Sequence, residues 1–131
     1  MTKDERTLLL AAGVDAEAAI GRLMGKEHIF LKYLLRFPED QNYEQLLTAL
    51  SENDLNEAFR AIHTLKGASS TVGVISVYEI ADPLTEKLRA ACSQPSDRVL
   101  DFDEIASDVR RLGDAFQTAC KAIRNLQSET G

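Results

Sequence analysis

The sequence predicts an all-α fold, an antiparallel four-helix bundle with a short additional N-terminal helix. No stretch alternates apolar and polar residues as a half-buried strand would. Short turn signals separate amphipathic segments, and short loops between such helices imply antiparallel neighbours. Apolar residues recur at steps of three and four, most clearly near the C-terminus, in Phe102, Ile105, Val109, Leu112, Phe116, Ala119, Ile123 and Leu126.

The helices are expected in the following places. Asp15 caps a short helix that reaches residue 24. A longer helix starts at Lys26, and Pro38 should kink or interrupt it. Pro83 falls inside the helix predicted over residues 76–91 and should kink it as well. Three pairs with the spacing of a capping box mark further helix starts, namely Asp54 with Glu57, Ser76 with Glu79, and Asp101 with Glu104.

Composition indicates one globular domain over residues 1–131. A net charge of −6 argues against nucleic acid and against an anionic membrane surface. The apolar run at residues 8–12 is too short for a secretion signal or a membrane span. Cys92 and Cys120 make neither a disulfide framework nor a metal spacing, so they are interpreted as small core residues in a reducing compartment. A cytoplasmic location is therefore expected.

The candidate chemistry lies around His63. One stripe of its helix is apolar and should face the core, and at about 100° per residue His63 points roughly 130° away from the middle of that stripe. It should therefore lie on the open side, next to Lys66, Gly67 and Ser70, with Phe59 as an apolar shoulder. The predicted core stripe consists of Leu55, Ala58, Ile62, Leu65, Ser69 and Val72.

These residue types suit a histidine that takes up and hands on a phosphoryl group. A neutral imidazole offers a ring nitrogen that can attack phosphorus. Lys66, one turn from His63, can neutralise the phosphoryl oxygens without blocking the line of attack. A glycine inside a helix lowers the stability of the helix by about 1 kcal/mol relative to alanine, so the presence of Gly67 calls for an explanation. That explanation is either access for a second protein or close packing against another helix.

The run from His63 to Gly73 resembles the motif of the histidine-containing phosphotransfer (HPt) family. That motif is a histidine, any residue, an apolar residue, lysine, glycine, small residues, and a glycine ten positions after the histidine. Here the positions are filled by His63, Leu65, Lys66, Gly67, Ala68, Ser69 and Gly73. Residues 12–37 look like the family's first two helices, and residues 76–91 look like the partner helix after the motif.

The resemblance implies roles for individual residues. His63 would be the phosphoacceptor, Lys66 would stabilise the phosphoryl group, and Gly67 would provide access. Ser70 stands where many members have glycine, and Thr85 is a candidate for orienting the imidazole. The implied partners are response-regulator receiver domains and a hybrid sensor kinase. The chain would work as a monomer without a cofactor, with Mg²⁺ only in the receiver domain.

Two alternatives remain open at the level of sequence. The chain has no glycine-rich nucleotide loop and no kinase motif, so it is not expected to phosphorylate itself from ATP. It could instead be the phosphoacceptor domain of a chemotaxis-type kinase, which has a similar His-Lys-Gly helix. It could also be a helical adaptor in which His63 is incidental. His28 and His63 lie far apart in sequence and do not indicate a metal site.

Overall fold

The computed structural model describes residues 1–93 and 102–130, and this part of the chain is helical, as predicted. A 3-10 helix at Phe37–Glu39 separates the third and fourth α-helices, so Pro38 interrupts the helical path as expected. The α-helices are α1 (Lys3–Ala11), α2 (Ala16–Arg22), α3 (Glu27–Arg36), α4 (Asn42–Ser51), α5 (Leu55–Thr71), α6 (Ile75–Ser93) and α7 (Phe102–Thr130).

Two of the predicted caps are present. The Asp15 carboxylate accepts from the backbone N–H of Ala18, and the Asp54 carboxylate accepts from that of Glu57. Each satisfies one of the N–H groups that the first turn of a helix leaves without a partner. The prediction for Ser76 is wrong, because α6 begins one residue earlier, at Ile75. Asp101 lies outside the described residues.

Helix α5 lies between α4 and α6, and α6 packs on α7. Helices α5 and α6 are antiparallel, because successive contacts between them join residues whose numbers rise along α5 and fall along α6. Cys92 Sγ donates to the Leu55 carbonyl, Arg89 lies over Phe59, and Lys66 pairs with Asp82. This register decides which α6 side chains reach the exposed face of α5. The largest fully buried side chains are Phe30, Leu9, Leu34, Leu46, Ile62, Leu65, Leu84, Leu88, Leu112 and Ile123.

The C-terminal helix buries the seam that its periodicity predicts. Six seam residues are buried, and Phe116 is half-buried between Phe37 and Tyr43; the side chain of Phe102 is outside the described part of the structure. Cys120 is buried as expected, and burial raises the pKa of its thiol to about 11. Cys92 is exposed at the end of α6, so its interpretation as a core residue is wrong. The buried members of the seam are Ile105, Val109, Leu112, Ala119, Ile123 and Leu126.

Two short helices, rather than one, precede α3. Helix α1 went unpredicted, although it starts with a complete capping box between Thr2 and Glu5. The turn after α1 meets the turn between α5 and α6, where Val14 and Val74 form an isolated β-bridge. Both valines are fully buried. The bridge fixes α2 beside the C-terminal end of α5.

Helix α6 continues through Pro83 to Ser93. None of the helices in residues 1–93 and 102–130 is both long and apolar enough to cross a membrane.

Candidate functional site

Helix α5 places His63 on its solvent side. Ala58, Ile62 and Leu65 are fully buried on the opposite stripe, whereas His63 is exposed. The buried residues recur at steps of three and four, as the 3.6-residue period of a helix requires. The imidazole is therefore open to a second molecule, as the sequence predicted. His28, the other histidine, is also exposed, on α3.

Phe59 lies one turn before His63 and is half-buried. The two ring centroids are 5.7 Å apart and the rings are tilted by 39°. The guanidinium carbon of Arg89 on α6 lies 5.0 Å from the centroid of the Phe59 ring, within the range of a cation–π contact. Phe59 thus forms the expected apolar shoulder, and Arg89 connects it to α6.

Lys66 is one turn after His63 and is not free. Its Nζ lies 2.8 Å from Oδ1 of Asp82 on α6. Its hydrogen bond to Asp82 raises the pKa of Lys66, and the charges of Asp82, Tyr78 and Glu86 act in the same direction, whereas partial burial opposes them. The side chain is therefore a firmly protonated ammonium beside His63, already engaged by one carboxylate.

Gly67 faces open space. A Cβ built on Gly67 would meet no other heavy atom within 4 Å in the described part of the chain. Close packing against another helix therefore does not explain this glycine, and its role in access stays a prediction. Ser70, one turn further, is exposed, and its backbone carbonyl accepts a hydrogen bond of 2.8 Å from Arg22 Nη2 at the end of α2.

Thr85 lies in the core rather than in the open site. It is fully buried, and its hydroxyl donates to the Ala81 carbonyl at 2.6 Å. The Thr85 hydroxyl therefore donates its proton within α6 and not to the imidazole of His63. A role for Thr85 in orienting that ring stays a prediction.

The sequence reasoning missed the charged stripe of α6 that contacts Lys66 and Phe59 on α5. Asp82, Glu86 and Arg89 follow steps of four and three, so they share one face of the helix. Asp82 pairs with Lys66 and Arg89 lies over Phe59, while the charge of Glu86 helps to raise the pKa of Lys66. The spacing was visible in the sequence, but the register between α5 and α6 was not.

A second cation near His63, Arg60, is held by several groups. It makes a bidentate pair with Glu57 on its own helix and donates to Gln45 and Asn42 on α4. The shared hydrogen bonds with Glu57 raise the pKa of Arg60. Arg60 therefore links α5 to α4 and is less available for a ligand than Lys66.

The arrangement combines a nucleophilic nitrogen open to solvent, the Lys66 ammonium one turn away, and the open space at Gly67, also one turn from His63. Phosphoryl transfer needs in-line access and positive charge for the equatorial oxygens, and it asks little other covalent work of the protein. The site offers both, with no nucleotide-binding loop in the sequence.

Comparison with known proteins bears on the same segment. The family model of the Hpt domain matches residues 39–126, which is more than half of the chain and includes His63, Lys66 and Gly67. The match begins at the 3-10 helix, so α1 to α3 lie outside it. No curated protein and no solved structure matches the chain. The chain therefore belongs to the family of Hpt domains, which transfer phosphoryl groups through a histidine in phosphorelays.

Proposed function

We propose that this protein is a phosphorelay intermediate of a two-component system. His63 accepts a phosphoryl group from the aspartate of one receiver domain and passes it to the aspartate of another. The observation that carries the proposal is the exposed imidazole on α5, with the Lys66 ammonium one turn on and open space at Gly67 beside it.

The transfer step needs only groups that are present. The unprotonated ring nitrogen of His63 forms the N–P bond while the O–P bond of the receiver's acyl phosphate breaks. The bonding electrons leave on the receiver's carboxylate, and the other ring nitrogen keeps its proton. Transfer to the second receiver is the reverse reaction. Lys66 offsets negative charge on the phosphoryl oxygens in both directions.

The partners of this reaction are response-regulator receiver domains and a hybrid sensor kinase. Mg²⁺ acts in the receiver domain, and this chain contributes no cofactor. We assign the protein to the cytoplasm, as a monomer and a single domain over residues 1–131. Helices α4, α5, α6 and α7 would form the antiparallel four-helix bundle of the domain, with α3 preceding α4 in the chain. The contacts of α5 with α4 and α6 support this arrangement.

The decisive experiment offers the protein two kinds of phosphoryl donor. One arm uses a panel of phosphorylated receiver domains, and the other uses a histidine-kinase core with ATP. Acid-labile label acquired from a receiver supports the proposal. Label acquired only from the kinase core identifies a chemotaxis-type phosphoacceptor domain. Absence of label in both arms, with a partner still bound, identifies an adaptor.

A further inference from the structure

We propose that Asp82 is a positioning residue that competes with the phosphoryl group on His63 for the ammonium of Lys66. The inference rests on the proposed function. Asp82 holds Lys66 while His63 is unmodified, and Lys66 must leave or share this carboxylate once phosphorylation places oxygens one turn away. Lys66 stays protonated throughout, and only its non-covalent partner changes.

The Lys66–Asp82 pair lies where such an exchange is possible. Nζ and Oδ1 are 2.8 Å apart, and the two side chains are 26% and 46% exposed. Because water reaches both groups, neither charge is left without a partner when the pair opens. Partly exposed ion pairs of this kind are weak, so the pair can yield to a phosphoryl dianion.

The other ion pairs around His63 are less suited to exchange with the phosphoryl group. Arg60 is held at once by Glu57, Gln45 and Asn42. Arg89 pairs with Glu86 at 3.3 Å and also lies over the Phe59 ring. Lys66, by contrast, has one carboxylate partner within hydrogen-bond distance among the described residues.

The competition sets how strongly the domain retains its phosphoryl group. A phosphorelay intermediate must release the group as readily as it accepts it, so stabilisation of phosphohistidine by a free lysine would favour retention over release. Lys66 attracts the phosphoryl group on His63, but separating Lys66 from Asp82 costs free energy and offsets part of that attraction. The phosphohistidine is therefore less stable than it would be beside a free lysine, and closer in free energy to the acyl phosphates of its partners.

The test measures the half-life of phosphohistidine without any partner protein. Phosphoramidate, a small-molecule donor, phosphorylates the full chain carrying His28→Gln, so that label reports His63 alone. Asp82→Asn should lengthen the half-life about two- to fivefold, which equals about 0.4–1 kcal/mol at 1.4 kcal/mol per tenfold. Asp82→Glu, which keeps the carboxylate, should restore a half-life near that of the parent.

Two further variants separate this competition from general electrostatics. Glu86→Gln removes the same charge from the same face of α6, but its carboxylate pairs with Arg89, so the half-life should change much less. In a Lys66→Gln background, Asp82→Asn should have no effect, because there is no lysine to release. An equal effect of Glu86→Gln, or an effect of Asp82→Asn that persists without Lys66, would overturn the proposal.

The equilibrium with a receiver gives an independent readout. Asp82→Asn should shift phosphoryl from the receiver's aspartate to His63 by a similar factor. If phosphoramidate labels His63 and Asp82→Asn lengthens its half-life, but no phosphorylated receiver donates to the parent, the competition is present and the proposed function is wrong. If receivers donate but the Asp82→Asn half-life equals that of the parent, the proposed function stands and the competition is wrong.

Discussion

The backbone N–H of Asp15 donates to the carbonyl of Gly73 at 2.8 Å, and this hydrogen bond joins the start of α2 to the end of the histidine helix. Gly73 has a φ of +71°, in the left-handed region that favours glycine. A Cβ built on Gly73 would lie 2.6 Å from the Asp15 carbonyl oxygen and 3.0 Å from the Ala19 Cβ. The glycine ten positions after His63 therefore serves the close approach of α2 rather than the chemistry.

Gly73→Ala should destabilise the fold more than Gly25→Ala does. Both glycines have positive φ, but a Cβ on Gly25 would meet no heavy atom within 4 Å in the described structure. Gly25→Ala should cost about 1 kcal/mol of unfolding free energy from backbone strain alone, and Gly73→Ala should add the cost of separating two backbones. Urea unfolding of the two variants measures the difference, and equal losses would show that α2 does not need this close approach.

Gly67→Ala should raise the unfolding free energy by about 1 kcal/mol, the difference in helix propensity, because nothing crowds the added methyl group. Gly113→Ala on α7 should instead lower it, since its Cβ would lie 2.8 Å from the Tyr43 ring, which stacks on Phe116. Gly67→Gln should slow phosphoryl transfer from a receiver while thermal unfolding shows an intact fold. A destabilised Gly67→Ala would mean that Gly67 serves internal packing after all.

Much of the histidine helix could be predicted from residues alone, because burial there follows one periodic stripe. Asp54 as cap, His63 on the open side and Phe59 beside it all follow from positions within a single helix. Such local relationships depend on 3.6 residues per turn and need no knowledge of the partner helix.

The relationships between helices could not be predicted in the same way. The pairing of Lys66 with Asp82 depends on the register of α5 against α6, and the bridge between Val14 and Val74 depends on two turns 60 residues apart that meet in space. A periodic pattern states which face of a helix is apolar but not how far the helix slides along its neighbour. Cys92 was misplaced for a related reason, since it lies at the exposed end of α6.

His63→Gln should abolish uptake of acid-labile phosphate and leave the unfolding free energy within about 0.5 kcal/mol of the parent, because the side chain is exposed and off the core stripe. His28→Gln is the matched control, a histidine on α3 that is also exposed, and it should transfer normally. Phosphate label from a phosphorylated receiver measures both. Label retained by His63→Gln would remove His63 from the proposed mechanism.

The Cys120 thiol should make the fold sensitive to alkaline pH. Burial raises the pKa of this thiol to about 11 from an ordinary value of 9.0. Between these values the unfolded chain has lost the proton that the folded chain retains, so the free energy of unfolding should fall as pH rises from about 9 to 11. The expected contribution is about 1–3 kcal/mol, at 1.36 kcal/mol per pH unit. Urea unfolding of the parent and of Cys120→Ala at both pH values should show a shallower fall in the variant, and parallel curves would contradict the assignment.

A receiver domain should dock on the surface that α2 and α5 form around His63. Its aspartate must reach the imidazole in line, and Arg22 places the end of α2 against Ser70, two turns from His63. Val14 and Ile20 are buried and cannot contribute, whereas Ala18 is exposed and Met24 is 87% exposed. Such a patch suits a small, transient interface.

Chemical-shift mapping with an unphosphorylated receiver tests this surface. The backbone amides of Phe59, Gly67 and Ser70 should shift together with those of Ala18 and Met24. Helix α7 is the internal control, because it packs against α6 and carries none of the site residues. Perturbations that cluster on α7 and spare His63 would identify the protein as an adaptor and contradict the phosphorelay proposal.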